Sequence, residues 1–240
     1  YTELRLGEVN MLPLADTIRS RSFPIINWTL IAANLLVFFY ELSLSPADLE
    51  VFFSRFALVP ALLDPARPLS YLTFITHQFL HGGWVHIISN LWILYIFGDN
   101  IEDRLGPGRY LLFYLTGGVV AALLQITLIG EPDIPMLGAS GAISAVLGAY
   151  MLLFPTSRVL TLVPFFYFLQ MVRIPAVIYI GMWFVSQLFS GVFALAPGAA
   201  MGGVAWWAHI GGFLFGFAAV RLFARRRPAP RWWQDEYFPF

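Results

Sequence analysis

The chain has 240 residues, 59% of them hydrophobic and 12% charged, against roughly 45–50% and 25% in soluble domains, so it belongs in a bilayer. A formal net charge of zero argues against a nucleic-acid partner, which needs a basic field or patch. Cysteine is absent, which excludes disulfides, thiolate nucleophiles and cysteine metal sites.

A spanning helix needs about 20 largely apolar residues, and six segments approach that scale. The first covers residues 25–40, preceded by Arg19 and Arg21. The second covers 84–97 and is closed by Gly98-Asp99; the third is 110–129 and the fourth 137–154. The fifth opens at the helix-compatible Pro175 and runs to about residue 192. The sixth, 203–223, is stopped by Arg225, Arg226 and Arg227. Ser43-Leu44-Ser45 after the first segment has the small-x-small look of a cleavage site, but Pro46 directly behind it argues for retention.

Between Arg158 and Arg173, residues 159–172 are apolar but short and interrupted by Pro164, which reads as an interfacial or re-entrant segment. On that reading Arg19, Arg21, Arg104, Arg109, Arg158, Arg173 and Arg225 to Arg227 share one face, leaving Arg55 and Arg67 on the other. The positive-inside rule then predicts six helices with both termini cytoplasmic. The pattern suits a bacterial plasma membrane. The fold expected is an all-α membrane protein: an N-terminal segment 1–23, a helical core 24–224 and a basic, aromatic tail 225–240. Residues 1–10 precede Met11, which reads as an initiator, and are set aside. The connection 42–83 is long and rich in Phe, Leu and Pro, so it should carry structure of its own. No repeat recurs, and the halves are not inverted copies, which weakens a transporter reading.

Within this apolar frame a few polar residues stand out. Gly138-Ala139-Ser140-Gly141-Ala142 sets a hydroxyl among small residues, and His209 lies in a second glycine-bearing run. A hydroxyl and an imidazole in hydrocarbon-length segments are costly unless used. Pro135 discourages helix before the serine, so the helix should begin near Ser140 and reach only about 21 Å to Phe154, less than the roughly 30 Å of hydrocarbon. Ser140 should therefore sit below the membrane surface at a helix N-terminus, where free backbone N–H groups stabilise an anion. His86 and Asn90, four apart, face the same way and offer further donors.

Small residues recur every fourth position at Gly141-Ala145-Ala149, Ser144-Gly148 and Ala208-Gly212-Gly216. Such stripes let helix backbones approach closely, which is what would bring Ser140 within reach of His209. No Asp or Glu lies in an intramembrane stretch near His209, so the unit expected is a dyad. Taken alone, a serine among glycines is more often a packing residue. Haem ligation by His86 and His209, or a metal on His77 and His81, lacks the acidic or cysteine companions that would support it; no cofactor and no metal are expected. His77 and His81 read as hydrogen-bonding residues of the long connection, and Glu102 with Arg104 as an interfacial ion pair.

Taken together these residues resemble the rhomboid family of intramembrane serine proteases. The resemblance rests on the run from His81 to Asn90, Glu102-Asp103-Arg104-Leu105-Gly106, Gly138-Ala139-Ser140-Gly141 and Ala208-His209-Ile210-Gly211-Gly212, in order and at the family's spacing. It implies a six-transmembrane-helix bundle with a long structured loop between the first two helices. It also implies Ser140 as nucleophile and His209 as general base and acid, with His86, Asn90 and the Ser140 N–H binding the oxyanion. Gly138, Gly141, Gly212, Gly216, Glu102 and Arg104 then serve as structural support. The chain departs from the family in two places. Tyr71-Leu72-Thr73-Phe74 stands where a Trp-Arg pair is usual. Ser144 stands where some members place an aromatic ring beneath the histidine, so another group must orient His209.

The reaction implied is hydrolysis of peptide bonds in or near transmembrane helices of other membrane proteins, reached from the side past the fifth helix and the uncharged loop 195–203. A rhomboid-like chaperone that binds helices without cutting them is the alternative.

Overall fold

The computed structural model describes residues 11–130, 133–165, 168–195 and 204–224. The loop 196–203, the tail 225–240 and residues 1–10 lie outside the described residues. In chain order the elements are β1 (Leu12–Asp16), α1 (Ile25–Ser43), α2 (Pro46–Phe56), α3 (Thr73–Thr76), α4 (Trp84–Leu105), α5 (Pro107–Ile129) and α6 (Ser140–Leu153). They are followed by β2 (Arg158–Phe165), β3 (Phe168–Pro175), α7 (Ala176–Ala194) and α8 (Trp206–Phe223).

The chain is an integral membrane protein. Among the described residues α1, α5, α7 and α8 are long and apolar enough to cross a bilayer, and α4 joins the segment Pro68–Phe79 across an 83° bend as a fifth candidate. The helix α6 is shorter, and Gly141 to Tyr150 are buried throughout. A helix sheathed in protein need not match the hydrocarbon thickness, because its neighbours rather than lipid surround it.

Two expectations fail at the ends of α4. Gly98-Asp99 does not close it, because Gly98 sits in its interior, where a Cβ would strike the Asn27 amide and the Tyr110 hydroxyl. Helix α4 runs on to Leu105 and stops at Gly106, whose φ of +80° suits glycine; Pro107 then opens α5. Glu102 and Arg104 do not pair with each other. The Glu102 carboxylate instead accepts from the N–H groups of Ile26 at 3.1 Å and Asn27 at 2.8 Å, satisfying donors that the first turn of α1 leaves open and complementing its dipole. The Arg104 guanidinium lies over the Phe154 ring. Asn27 extends this knot, donating to the Leu94 carbonyl at 3.1 Å and accepting from the Tyr110 hydroxyl at 2.7 Å.

The fold is not all helical. The strands β2 and β3 pair antiparallel, and β1 pairs with β2 to give the sheet order β1-β2-β3. The described residues of this apolar stretch are therefore strand, so the expected fold of helices alone does not hold. Val159 and Thr161 are buried on one face, and half-buried Leu160 and Leu162 alternate with them, the period of two and β-branching of a strand. Pro13 is tolerated because β1 is an edge strand with an irregular register between Pro13 and Ala15. The sheet follows the C-terminal end of α6, so it lies at the opposite end of that helix from Ser140.

Between α1 and α4 lie α2, α3 and three turns of 3-10 helix. Ser45 caps α2, its hydroxyl oxygen accepting from the Asp48 N–H. Leu58 exchanges two backbone hydrogen bonds with Met136, of 3.0 and 2.8 Å, and this fastens the connection to the approach to α6.

The tightest contact joins α6 and α8. A Cβ on Gly212 would fall on the Gly141 carbonyl, one on Gly216 on the Ala145 carbonyl, and one on Gly148 on the Phe213 carbonyl. Gly216→Ala is therefore expected to lower stability by about 1–3 kcal/mol, since main chain cannot yield as a side chain can; thermal unfolding in detergent measures it.

Asp16 fastens β1 to the bundle, its carboxylate accepting from the Tyr150 hydroxyl at 2.5 Å and the Asn100 amide at 2.8 Å. Burial, opposed by the hydrogen bond from Tyr150 and reinforced by nearby Asp99, pushes its carboxyl up from 3.8 to about 8. The native state thus holds a proton that the unfolded chain releases, so stability falls as pH rises from about 4 to about 8 and levels off above. Asp16→Asn should remove much of that slope, as seen by comparing melting temperatures across that interval.

Candidate active site

The path into α6 is held in place before the helix begins. The Gly138 N–H donates to the His77 carbonyl at 2.9 Å, and Gly138 adopts φ +121°, a region that L side chains rarely enter. Its missing side chain also makes room for a neighbour, because a Cβ there would lie 2.6 Å from His86 Nε2. Ser140 opens α6, so its N–H is among the first-turn donors without an intrahelical acceptor.

From α8, His209 meets this serine: the Ser140 hydroxyl and His209 Nε2 are 2.9 Å apart, within the reach needed to activate a hydroxyl. The opposite ring nitrogen, Nδ1, is 2.7 Å from Oε1 of Gln187 on α7. The rings of Trp206 and Trp183 flank the imidazole, with centroids 6.2 and 6.1 Å away. The N-terminus of α8 is tied to α5, where Gln125 Oε1 accepts from the Ala208 N–H at 3.1 Å.

On α4, the Asn90 amide lies 3.2 Å from His81 Nε2, and the rings of His81 and His86 meet edge to face at 5.0 Å. The Glu41 carboxylate accepts from the His81 N–H at 3.2 and 3.4 Å. The structure thus brings Ser140 and His209 into contact and sets His86 against Gly138, two residues ahead of the serine. His77 hydrogen-bonds within the connection, its Nδ1 lying 2.8 Å from the Thr73 carbonyl. His81 instead reaches out of the connection to Asn90 on α4. The Ser144 hydroxyl donates to the Ser140 carbonyl at 2.7 Å, so it takes no part beneath the histidine. Among the described residues no group of three His, Asp or Glu side chains is placed to hold a metal ion.

Gln187, Gln125 and Glu41 were not singled out from sequence. All three are buried polar side chains in apolar helices, and the cost of an unpaired amide or carboxylate there is the signal that marks them.

A half-buried serine at a helix start, met by a histidine from a neighbouring helix of an apolar bundle, defines a membrane protein with a polar site among its helices. The chain belongs to the rhomboid family: the Rhomboid domain matches residues 68–226. Among its relatives, Presenilin-associated rhomboid-like protein A, mitochondrial, of Danio rerio is 26% identical over 186 residues, covering 72% of this chain and 44% of that protein. Putative rhomboid protease YdcA of Bacillus subtilis is 36% identical over 78 residues, or 32% of this chain and 38% of that protein. Rhomboid-type serine protease 2 of Emericella nidulans is 34% identical over 92 residues, 38% of this chain and 18% of that protein. The chain spans less than half the length of each of these relatives.

Gly138→Ala should strain the backbone and displace His86 together, lowering stability by roughly 1–3 kcal/mol. The shift in melting temperature reads this cost, and an unchanged melting temperature would contradict it.

Proposed function

We propose that this protein is an intramembrane serine endopeptidase that hydrolyses peptide bonds in or beside transmembrane helices of other membrane proteins, using Ser140 and His209. The observation that carries the reading is the 2.9 Å contact of the Ser140 hydroxyl with His209 Nε2, within a family whose named relatives include serine proteases. In this reading α4 and α6 cross with the four other long helices to make six spans, with both ends of the core on the arginine-rich face.

Ser140 Oγ attacks the scissile carbonyl carbon as its proton passes to His209 Nε2. The oxygen of the resulting tetrahedral adduct becomes an oxyanion, and the Ser140 N–H, an imidazole N–H of His86 and the Asn90 amide donate to it. Collapse breaks the C–N bond, and the imidazolium gives its proton to the departing amine. His209 then takes a proton from water, whose oxygen attacks the acyl-serine ester; collapse frees the carboxyl product and restores the hydroxyl. Because a helical substrate buries its carbonyls in hydrogen bonds, the segment cut must unwind first, which favours small or helix-breaking residues near the cut.

Wild-type protein should react with a fluorophosphonate probe and cut a transmembrane reporter in proteoliposomes. Ser140→Ala and His209→Ala should each lose cleavage by about 10³-fold or more, and Ser140→Ala should lose labelling completely. Cleavage retained in Ser140→Ala overturns the proposal. Wild-type protein that binds helices but never labels points to a helix-binding chaperone instead.

A further inference from the structure

We propose that Gln187 of α7 is the positioning residue for His209, its neutral amide standing where a serine protease triad has a carboxylate. The inference rests on the reading of Ser140 and His209 as nucleophile and base.

Proton accounting along one chain of contacts gives the direction. The Ser186 hydroxyl donates to the Trp183 carbonyl at 2.6 Å, so its oxygen is left to accept. Gln187 Nε2 donates to that oxygen at 3.1 Å, which turns Oε1 of the same amide toward His209 Nδ1 at 2.7 Å. An amide oxygen only accepts, so Nδ1 must carry the proton. In a neutral imidazole the other nitrogen is then a bare acceptor, and it faces the Ser140 hydroxyl at 2.9 Å. The backbone of α7 thereby selects the tautomer a general base requires. The two ring nitrogens are gripped from opposite sides, which fixes the ring plane as well.

Two further observations support the assignment. Gln187 is only 6% exposed, and a buried amide on an apolar helix is costly unless its bonds are made; its oxygen makes one with His209. The other nearby candidate is already engaged, because Ser144 donates to the Ser140 carbonyl. Trp183 and Trp206 contact the imidazole as rings. The titratable groups facing His209 from α4 and the connection are His86 and, behind it, His81; the Glu41 carboxylate beyond them is engaged by the His81 N–H, and the acceptor at His209 Nδ1 is the Gln187 oxygen. Since the orienting group is an amide, it fixes tautomer and angle without the charge that would raise the basicity of His209.

The experiment uses full-length protein in proteoliposomes with a transmembrane reporter, comparing wild type, Gln187→Leu and Gln187→Glu. Leucine keeps much of the volume and removes the acceptor; kcat should fall about 10²-fold with KM within about threefold. Glutamate restores an acceptor and adds charge; kcat should return to within about tenfold of wild type, with the acidic limb of its pH profile moved upward by about one unit. Nitrogen-15 spectra of the histidine rings, with His209 assigned by its loss in His209→Ala, should show the Nδ1-protonated tautomer in wild type and a mixture in Gln187→Leu.

A wild-type kcat and tautomer in Gln187→Leu overturns the proposal. So does a Gln187→Glu variant as inactive as Gln187→Leu with an unmoved pH profile, the result of a purely structural role. If wild type neither labels with fluorophosphonate nor cuts, the protease reading fails, and the spectra still decide whether Gln187 sets the tautomer.

Discussion

The distance between the backbones of α6 and α8 is the constraint on which the site depends. A serine side chain is short, and a contact of 2.9 Å to His209 is available only if the two helices touch main chain to main chain. Gly141 and Ala145 supply the carbonyls on one side, and Gly212 and Gly216 supply the absent side chains on the other. Gly148 reverses the arrangement against Phe213. In a bilayer, apolar burial gives helices little reason to prefer each other over lipid, so dispersion at close approach and interhelical hydrogen bonds must hold them. The third wall follows the same logic: Gly141 packs on Ala121 of α5, and Gly211 on Leu124. The small residues that make the site reachable are thus also those that make the core cohere.

Polar side chains in the bundle act chiefly as connectors between helix ends. Glu102 of α4 holds the open N–H groups of α1, and Gln125 of α5 holds that of Ala208 at the start of α8. Glu41 at the end of α1 takes the His81 N–H and so steadies the residue that meets Asn90. Each polar group is expensive in an apolar interior and is retained where it accepts from a backbone N–H at or near a helix end.

Sequence made the helices legible because apolar length is a strong signal, and it made the meeting of Ser140 with His209 legible because a hydroxyl and an imidazole are conspicuous amid hydrocarbon. It misled where two signals compete. Val159 to Val172 is apolar enough for a membrane segment, but the alternation around Val159 and Thr161 reflects pairing with β1 and β3, partners remote in sequence or dependent on a turn. Gly98 looked like a helix end, whereas only the positions of Asn27 and Tyr110 make it an interior glycine. Gln187 was invisible as a partner for His209 because its contact spans two helices and no spacing rule links them, although its burial cost was there to be noticed.

The three groups of the site ride on three helices held with unequal firmness. Ser140 and His209 belong to α6 and α8, which are locked backbone to backbone. Gln187 belongs to α7, only 22% of whose candidate span is buried inside the protein, against 39% for α8. Val177, Ile178, Met182, Val185 and Phe189 of α7 are exposed, so lipid rather than protein covers much of it. N–H···O hydrogen bonds have lengths of about 2.7–3.2 Å, so an outward shift of α7 by about one ångström removes the Nδ1 acceptor while leaving the serine and histidine together. The contact between Ser140 and His209 is therefore held by main-chain packing. The contact of His209 with Gln187 depends instead on how α7 is seated, so the two sides of the imidazole are held independently.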